Sequence, residues 1–418
     1  MKIFLLMSVS LIFSAFTFSK AQDKETVKEK VIPGANVLLS ENFELIKGKR
    51  LGIVTNHSAL LTNGVHLVDT LFHRDDVKIV ALFGPEHGIR GDAPDGTSIT
   101  NSKDSKTGIQ VYSLYGKVNK PSKEMLKDVD VLIYDIQDVG ARFYTFISTL
   151  FYTVQAAAEN HIPLLVLDRP NPISGHKVGG PIRKEGLSSF VGIAPIPIMH
   201  GMTIGELATM FNQSGMIGKD LKADLKVVKM KNWDRDMFYD QTGLKWTVPS
   251  PNIPNLETAI VYPGMCLIEG TNVSEGRGTY SPFLTFGAPF ISSKELILQL
   301  DGQSIAGIKL EPADYTPVEI ANMASKPKFE NKICHGVKIS IIDRDKFEPV
   351  EFGFKLLCSL QKLYPSQFKM SDDRFDRLCG DRPIRKKILS GVSSKEIISD
   401  YKQELNEFKE FRKKYLLY

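Results

Sequence analysis

Between Val80 and Thr97 the sequence reads VALFGPEHGIRGDAPDGT, an apolar run that turns abruptly into a loop holding Glu86, His87, Arg90, Asp92 and Asp95. Carboxyl, imidazole and guanidinium groups in one short loop can transfer protons or hold a charged ligand; the plain alternative is a solvated turn whose charges pair among themselves. Its interspersed glycines and prolines allow a tightly folded backbone on which side chains converge. A second loop of this kind, EGTNVSEGRGTYSPF, carries Glu269, Asn272, Glu275 and Arg277. Carboxylates on two facing loops suit glycoside hydrolysis, in which one acid protonates the leaving oxygen while a second group supports attack at the anomeric carbon. A salt bridge between Glu275 and Arg277 is the structural alternative for that pair.

The elements that must position these residues alternate along the first half of the chain. RLGIVT (50–55), VKIVALF (77–83), IQVYSL (109–114), VDVLIYDI (129–136), IPLLVLD (162–168) and IPIM (196–199) read as strands. Amphipathic segments at 65–74, 122–127, 145–160 and 203–212 read as helices between or after them. Near-continuous apolar strands separated by helices predict an α/β fold with a doubly wound parallel sheet covered on both faces. Ligands of such sheets bind beyond the carboxyl ends of the strands. Those ends deliver Asn56 and His57, then Glu86 and His87, then Asp135, Gln137, Asp138 and Arg142, then Asp168, Arg169 and Asn171, and finally His200. This convergence favours an active or binding site over a decorative loop. The proline-rich TVPSPNIPNLET after Trp246 marks a crossing from a domain over 34–248 to a smaller α+β domain over 256–418 that completes the cleft. AIVYPGMCLI, just beyond it, reads as a further apolar strand.

Several chemistries are excluded. There is no G-x-G-x-x-G, no G-x-x-x-x-G-K-[ST] and no G-x-S-x-G, so nucleotide binding and the simplest serine hydrolase lack their signatures. His57, His87 and His200 could meet as metal ligands, but no H-E-x-x-H spacing supports it, and neither metal nor cofactor is expected. Trp233 and Trp246 are candidates for stacking on a sugar or for the core. The four cysteines, Cys266, Cys334, Cys358 and Cys379, include no C-x-x-C pair, and Cys266 reads as a buried thiol.

The chain opens on MKIFLLMSVSLIFSAFTFSKAQ, one early lysine followed by an apolar run and the small-residue site Ser19-Lys20-Ala21. Residues 1–21 are expected to be a secretory signal peptide, which places the mature protein outside the cytoplasm, periplasmic or secreted. No later stretch is long and apolar enough for a membrane span. The formal charge of +5 falls to about +3 once Lys2 and Lys20 leave, too mild to imply a nucleic-acid partner. The basic run Arg382, Arg385, Lys386 and Lys387 reads as a solvated helix face.

GPEHGIRGDAPDG, DIQDVGARFYTFISTL, LDRPNPISG, HGMTIGELA, PSPNIP, EGTNVSEGRGT and the closing YLLY together resemble the exo-β-N-acetylmuramidase family of bacterial cell-wall recycling enzymes, formerly a domain of unknown function. The likeness runs from about Gly34 to Tyr418. It implies a Rossmann-like N-terminal domain, a smaller C-terminal domain and a cleft between them. The implied activity is release of N-acetylmuramic acid from the non-reducing end of a peptidoglycan-derived oligosaccharide or muropeptide. Residue by residue, the glutamate of the GPEHG block is Glu86, and those of the EGTN-SEGRG block are Glu269 and Glu275. Muramic acid carries a lactyl carboxylate, whose pocket needs a cation, preferably a guanidinium with its two-pronged fork. Arg90, Arg142, Arg169 and Arg277 sit in the site loops, with Arg277 or Arg142 the first choices. A non-catalytic periplasmic binding protein for muropeptides or sugars is the competing class, distinguished by the absence of turnover. A metal-dependent hydrolase would be distinguished by loss of activity with a chelator.

Overall fold

The computed structural model describes residues 29–91 and 101–418. The expected signal peptide and the loop residues Asp92 and Asp95 lie outside these residues. The first half builds a seven-stranded sheet from β1 (Arg50–Thr55), β2 (Lys78–Gly84), β3 (Ser102–Lys103), β4 (Gln110–Ser113), β5 (Val131–Asp135), β6 (Leu164–Leu167) and β7 (Leu225–Val228). Its order is β3-β4-β2-β1-β5-β6-β7. Every pairing is parallel except that of the two-residue β3. Without β3 the order is the doubly wound, Rossmann-like one, with its reversal between β1 and β5.

Successive side chains of a strand point to opposite faces, so a strand covered on both sides reads as a continuous apolar run. In β5, Leu132 and Tyr134 enter one core, and Val131 and Ile133 the other. The second core is closed by α1 (Gly34–Glu41) and α2 (Leu67–Phe72), through Leu38, Leu67 and Leu71. The short α3 (Lys123–Leu126) leads into β5. The first core is closed by α4 (Phe146–Asn160) and α5 (Ile204–Gln213), through Leu150, Val154, Leu207 and Phe211. Thr203 and Glu206 form a capping box at the start of α5, a reciprocal pair that local sequence alone specifies.

Two strand expectations fail. IPIM does not join the sheet; Met199 makes isolated bridges with Ala141 and Gly179. The edge strand is instead LKVV, half-buried and flanked by charge. AIVYPGMCLI is helical: α6 spans Leu256–Met265, started by Asn255, whose side chain accepts from the Thr258 amide. Residues 258–265 are all buried, so no amphipathic period distinguishes this helix from a buried strand, and Pro263 within it gives a misleading signal.

The second half contains an antiparallel sheet, β8 (Thr285–Ala288), β10 (Cys334–Ile341) and β9 (Ile308–Tyr315), in that order. Around it lie α7 (Ser293–Asp301), α8 (Pro349–Leu363), α9 (Asp372–Cys379), α10 (Arg382–Leu389) and α11 (Ser394–Arg412). Helices α6 and α8 meet backbone to backbone: a Cβ on Gly264 would stand 1.8 Å from the Pro349 carbonyl oxygen. One buried cluster runs from Tyr134 and Leu150 in the first half to Phe286 and Phe354 in the second. The halves therefore share a core. All four cysteines are free thiols, and no helix among the described residues is long and apolar enough to cross a membrane.

Candidate active site

A cavity of about 430 Å³ opens between the two halves. Glu86 and His87, just past β2, and Phe143, Tyr144 and Thr145, leading into α4, form one wall. Tyr262 and Cys266, Glu269, Arg277, Phe283 and, from α9, Arg374 and Leu378 form the other, with Ser250, Asn252 and Ile253 of the crossing segment. Of the residues singled out from sequence, Glu86, His87, Glu269 and Arg277 meet here.

The two walls differ in charge. Thr145 Oγ1 donates to Glu86 Oε2 at 2.8 Å, orienting the carboxyl. His87 beside it is buried and sits at φ 70°, a left-handed conformation that non-glycine residues seldom adopt and that recurs at functional sites. Opposite, Glu269 is gripped by two guanidiniums: Arg277 Nη2 lies 3.0 Å from Oε1 and Arg374 Nη2 lies 2.5 Å from Oε2. Burial pushes this carboxyl up, but Arg277 and Arg374 outweigh it and hold Glu269 below the usual glutamate range. It stays ionised, which suits it to fixing cations and not to donating a proton. Glu275, with only 5% of its side chain exposed, lies behind the cavity surface, 3.5 Å from Arg277 Nε and 3.0 Å from Lys328 Nζ. The salt-bridge alternative for Glu275 and Arg277 is thus the geometry seen. Among the described residues, Arg277, Arg374 and Lys328 alternate with Glu269 and Glu275 along this wall.

Phe143, Tyr144, Tyr262 and Phe283 give the cavity an aromatic lining packed edge to face, with Tyr262 ring centroids 5.2, 6.1 and 5.0 Å from the other three. Burial raises the Tyr262 phenol and the Cys266 thiol well above their usual range. Cys266 thus remains a thiol, as read from the sequence, and offers no thiolate nucleophile.

The remaining sequence candidates lie elsewhere, each for a visible reason. Arg142 is fully buried and donates from Nη1 to the carbonyls of Pro181 and Ile196 and from Nη2 to those of Leu378 and Cys379. Its fork is occupied by backbone. Arg169 is buried against Asp135, Nε to Oδ1 at 2.5 Å, and also donates to Leu60 O. Asp168 accepts from Gly205 N, Thr203 Oγ1 and the Tyr418 hydroxyl. Asn56 accepts from Ser58, and Asp138 accepts from Gly140 N and lies 3.6 Å from His200. His57 Nε2 is 2.7 Å from Val248 O. These strand-end residues are mostly buried and bonded to backbone or to one another, and none of them lines the cavity. Asn272 bonds with Gln367 and Lys369 and clasps the segment between α8 and α9. Trp233 and Trp246 pack edge-on against Tyr418 and Tyr239 and do not line the cavity. Among the described residues no group of three or more His, Cys, Asp or Glu is placed to hold a metal ion.

Arg374 is the residue that sequence reasoning missed: it lies in SDDRFDRL, an ordinary amphipathic helix, and nothing local marks it. Tyr144, Thr145 and Asn252 fell within blocks already noted, yet their neighbours drew the attention.

Arg90 holds the Glu86 loop in place. Its guanidinium bridges Asp104, Nε to Oδ1 at 2.8 Å, and Asp69 of α2, Nη2 to Oδ1 at 2.7 Å. It therefore has no fork to spare for substrate. Burial raises the Asp104 carboxyl, but Arg90 and Thr107 outweigh this and bring it down to about 2.

Comparison with known proteins agrees with this architecture. The family described as Exo-beta-N-acetylmuramidase NamZ, N-terminal, matches residues 51–257, and its C-terminal counterpart matches 260–418. The chain is 47% identical over 414 residues to the peptidoglycan beta-N-acetylmuramidase NamZ of Bacillus subtilis (strain 168), covering 99% of this chain and 97% of that protein. Crystal structures of two DUF1343 family proteins from Bacteroides fragilis superpose with TM-scores of 0.86 and 0.77, at 36% and 37% identity. Each match covers 93% of this chain and 99% of the other.

The Arg90 geometry yields a stability prediction. Because the folded value for Asp104 lies below the unfolded one of 3.8, its stabilisation is complete above that value and is lost as pH falls towards about 2. Arg90→Gln should lower stability near neutral pH by about 3 kcal/mol, remove that acid-limb dependence and reduce kcat by loosening the Glu86 loop. Urea midpoints measured from pH 2 to 7 check this; an unchanged midpoint at pH 7 would refute it.

Proposed function

This chain belongs to the exo-β-N-acetylmuramidase NamZ family, and from that premise we propose that it is an exo-acting glycoside hydrolase releasing N-acetylmuramic acid from the non-reducing end of peptidoglycan fragments. The observation that carries the reading is the cavity itself, where a threonine-oriented carboxyl, Glu86, faces an arginine-rich wall across an aromatic lining. Glu86 is the group that exchanges a proton with the glycosidic oxygen. Glu269, kept ionised, aligns Arg277 and Arg374, while Glu275 and Lys328 support Arg277 from behind. The guanidiniums of that wall suit the lactyl carboxylate that distinguishes muramic acid from glucosamine, and the aromatic rings suit the apolar faces of a pyranose. The export reading belongs to the same proposal: a peptidoglycan substrate lies outside the cytoplasm, where a chain cleaved after Ala21 would meet it.

Glu86→Gln should fold as the wild type and lose about 10²–10⁴-fold in turnover of a MurNAc-GlcNAc disaccharide, with product identification as the readout. An aryl glycoside with a good leaving group needs little protonation and should recover much of the rate if Glu86 is the acid. Near-wild-type turnover by a well-folded Glu86→Gln on the disaccharide would falsify the assignment. An intact disaccharide with the wild-type protein would favour a binding protein.

Specificity follows from the arginines. The wild type should prefer the muramyl over the glucosaminyl aryl glycoside, and Arg277→Gln should shrink that ratio by about tenfold to a hundredfold, the loss of one buried charge-assisted hydrogen bond. The ratio of kcat/KM values is measured because a general loss of folded protein leaves it unchanged. A ratio unaffected by the substitution removes Arg277 from lactyl recognition.

N-terminal sequencing of the exported protein should begin at Gln22. Retention of Met1 on the exported chain would contradict cleavage.

A further inference from the structure

Tyr280 is the most exposed large apolar side chain among the described residues, at 84%. Its position, however, is rigidly determined. The loop that carries it is bracketed by two cavity residues, Arg277 and Phe283. Thr279 donates to Gly276 O from both its amide and its hydroxyl, at 3.1 and 2.7 Å. Ser281 N donates to Thr279 Oγ1 at 3.1 Å, and Phe283 N to Glu275 O at 2.7 Å. From outside, Val318 N donates to Gly278 O at 3.0 Å. Gly276 and Gly278 both adopt φ near +80°, and a Cβ on either would stand 2.2 Å from Thr285 O or 2.6 Å from Val318 O. No larger residue fits at these two points, so the backbone of the turn is fixed, with Tyr280 between the cavity residues Arg277 and Phe283 in the chain. Val318, which bonds to this loop at Gly278, is itself 41% exposed.

The cavity's own rings are spent on its interior. Phe143, Tyr262 and Phe283 are buried and packed edge to face. An exo-acting enzyme places one terminal sugar inside and leaves the next, beyond the scissile bond, at the mouth. We propose that Tyr280 is the stacking platform for that leaving-side sugar, an inference that rests on the glycosidase reading. The apolar C–H face of the pyranose lies on the phenol ring, and the sugar's hydroxyls remain in water. The platform therefore contributes binding of the aglycone sugar without touching the muramyl ring, and it makes the enzyme prefer a glycan leaving group over a small one.

The test uses the full chain with Tyr280→Ala and Tyr280→Phe, on two substrates. One is the MurNAc-GlcNAc disaccharide; the other is N-acetylmuramyl fluoride, whose leaving atom makes no contact beyond the scissile bond. Tyr280→Ala should lose about tenfold in kcat/KM on the disaccharide, mostly through KM, and be unchanged on the fluoride, while Tyr280→Phe keeps wild-type values on both. Unchanged kcat/KM of Tyr280→Ala on the disaccharide, or equal losses on both substrates, overturns the proposal. A wild-type protein inert on the disaccharide overturns the glycosidase reading itself, and this inference with it; that result is read before any variant is compared.

Discussion

A buried cation without a carboxylate partner among the described residues, Arg142, ties the two walls of the cavity together. Withdrawing a guanidinium from water costs several kcal/mol, and burial draws its pKa down to about 10, which leaves it charged near neutral pH. Four backbone carbonyls answer that charge, two from the segment before His200 and two from the end of α9. A guanidinium can serve two pairs of acceptors in one plane, and an ammonium cannot. The three residues after it, Phe143 to Thr145, belong to one cavity wall, and Leu378, whose carbonyl it takes, belongs to the other. The spacing of the two walls is thus inherited from a guanidinium that does not itself line the cavity.

Within the cavity, like charges are kept tolerable by alternation. Arg374, Glu269, Arg277, Glu275 and Lys328 form a chain in which each carboxylate separates two cations. Such a chain fixes both guanidiniums before substrate arrives, so little side-chain entropy remains to be lost on binding. Arg374 is 61% exposed on its side chain and Arg277 26%, so the outer cation meets solvent while the inner one is the more enclosed. On the opposite wall, the Arg90 bridge to Asp69 and Asp104 performs the equivalent service for the Glu86 loop.

The strand ends show why a doubly wound sheet does not by itself locate a site. At the end of β6 the crevice is roofed by the chain's own C-terminus: Tyr418 donates to Asp168, and the Leu417 amide donates to Glu206. At the ends of β1 and β5 the pair Arg169–Asp135 fills the space. The cavity is displaced to the side of β2, where the second half of the chain closes over it. Polar residues at the carboxyl edge serve here mainly to satisfy buried backbone and one another.

The sequence by itself determined what depends on near neighbours. Apolar runs bounded by turn residues named five of the seven strands of the main sheet, an amphipathic period marked α5, and the polar loops after β2 and before β8 were recognisable from composition and glycine placement. Glu86, His87, Glu269 and Arg277 were legible because each stands in such a loop. Where periodicity vanished, reading failed: α6 is buried on every side and resembles a strand, and LKVV is too short and too charged to resemble one. Tertiary structure alone decided which charges meet. Glu269 and Arg374 are 105 residues apart in the chain, and Arg142 reaches carbonyls 236 and 237 residues away. A guanidinium in a loop carries no local mark that tells whether folding will turn it to the cavity, as with Arg277, or to backbone, as with Arg142, because the deciding partners arrive only when the two halves pack on one core.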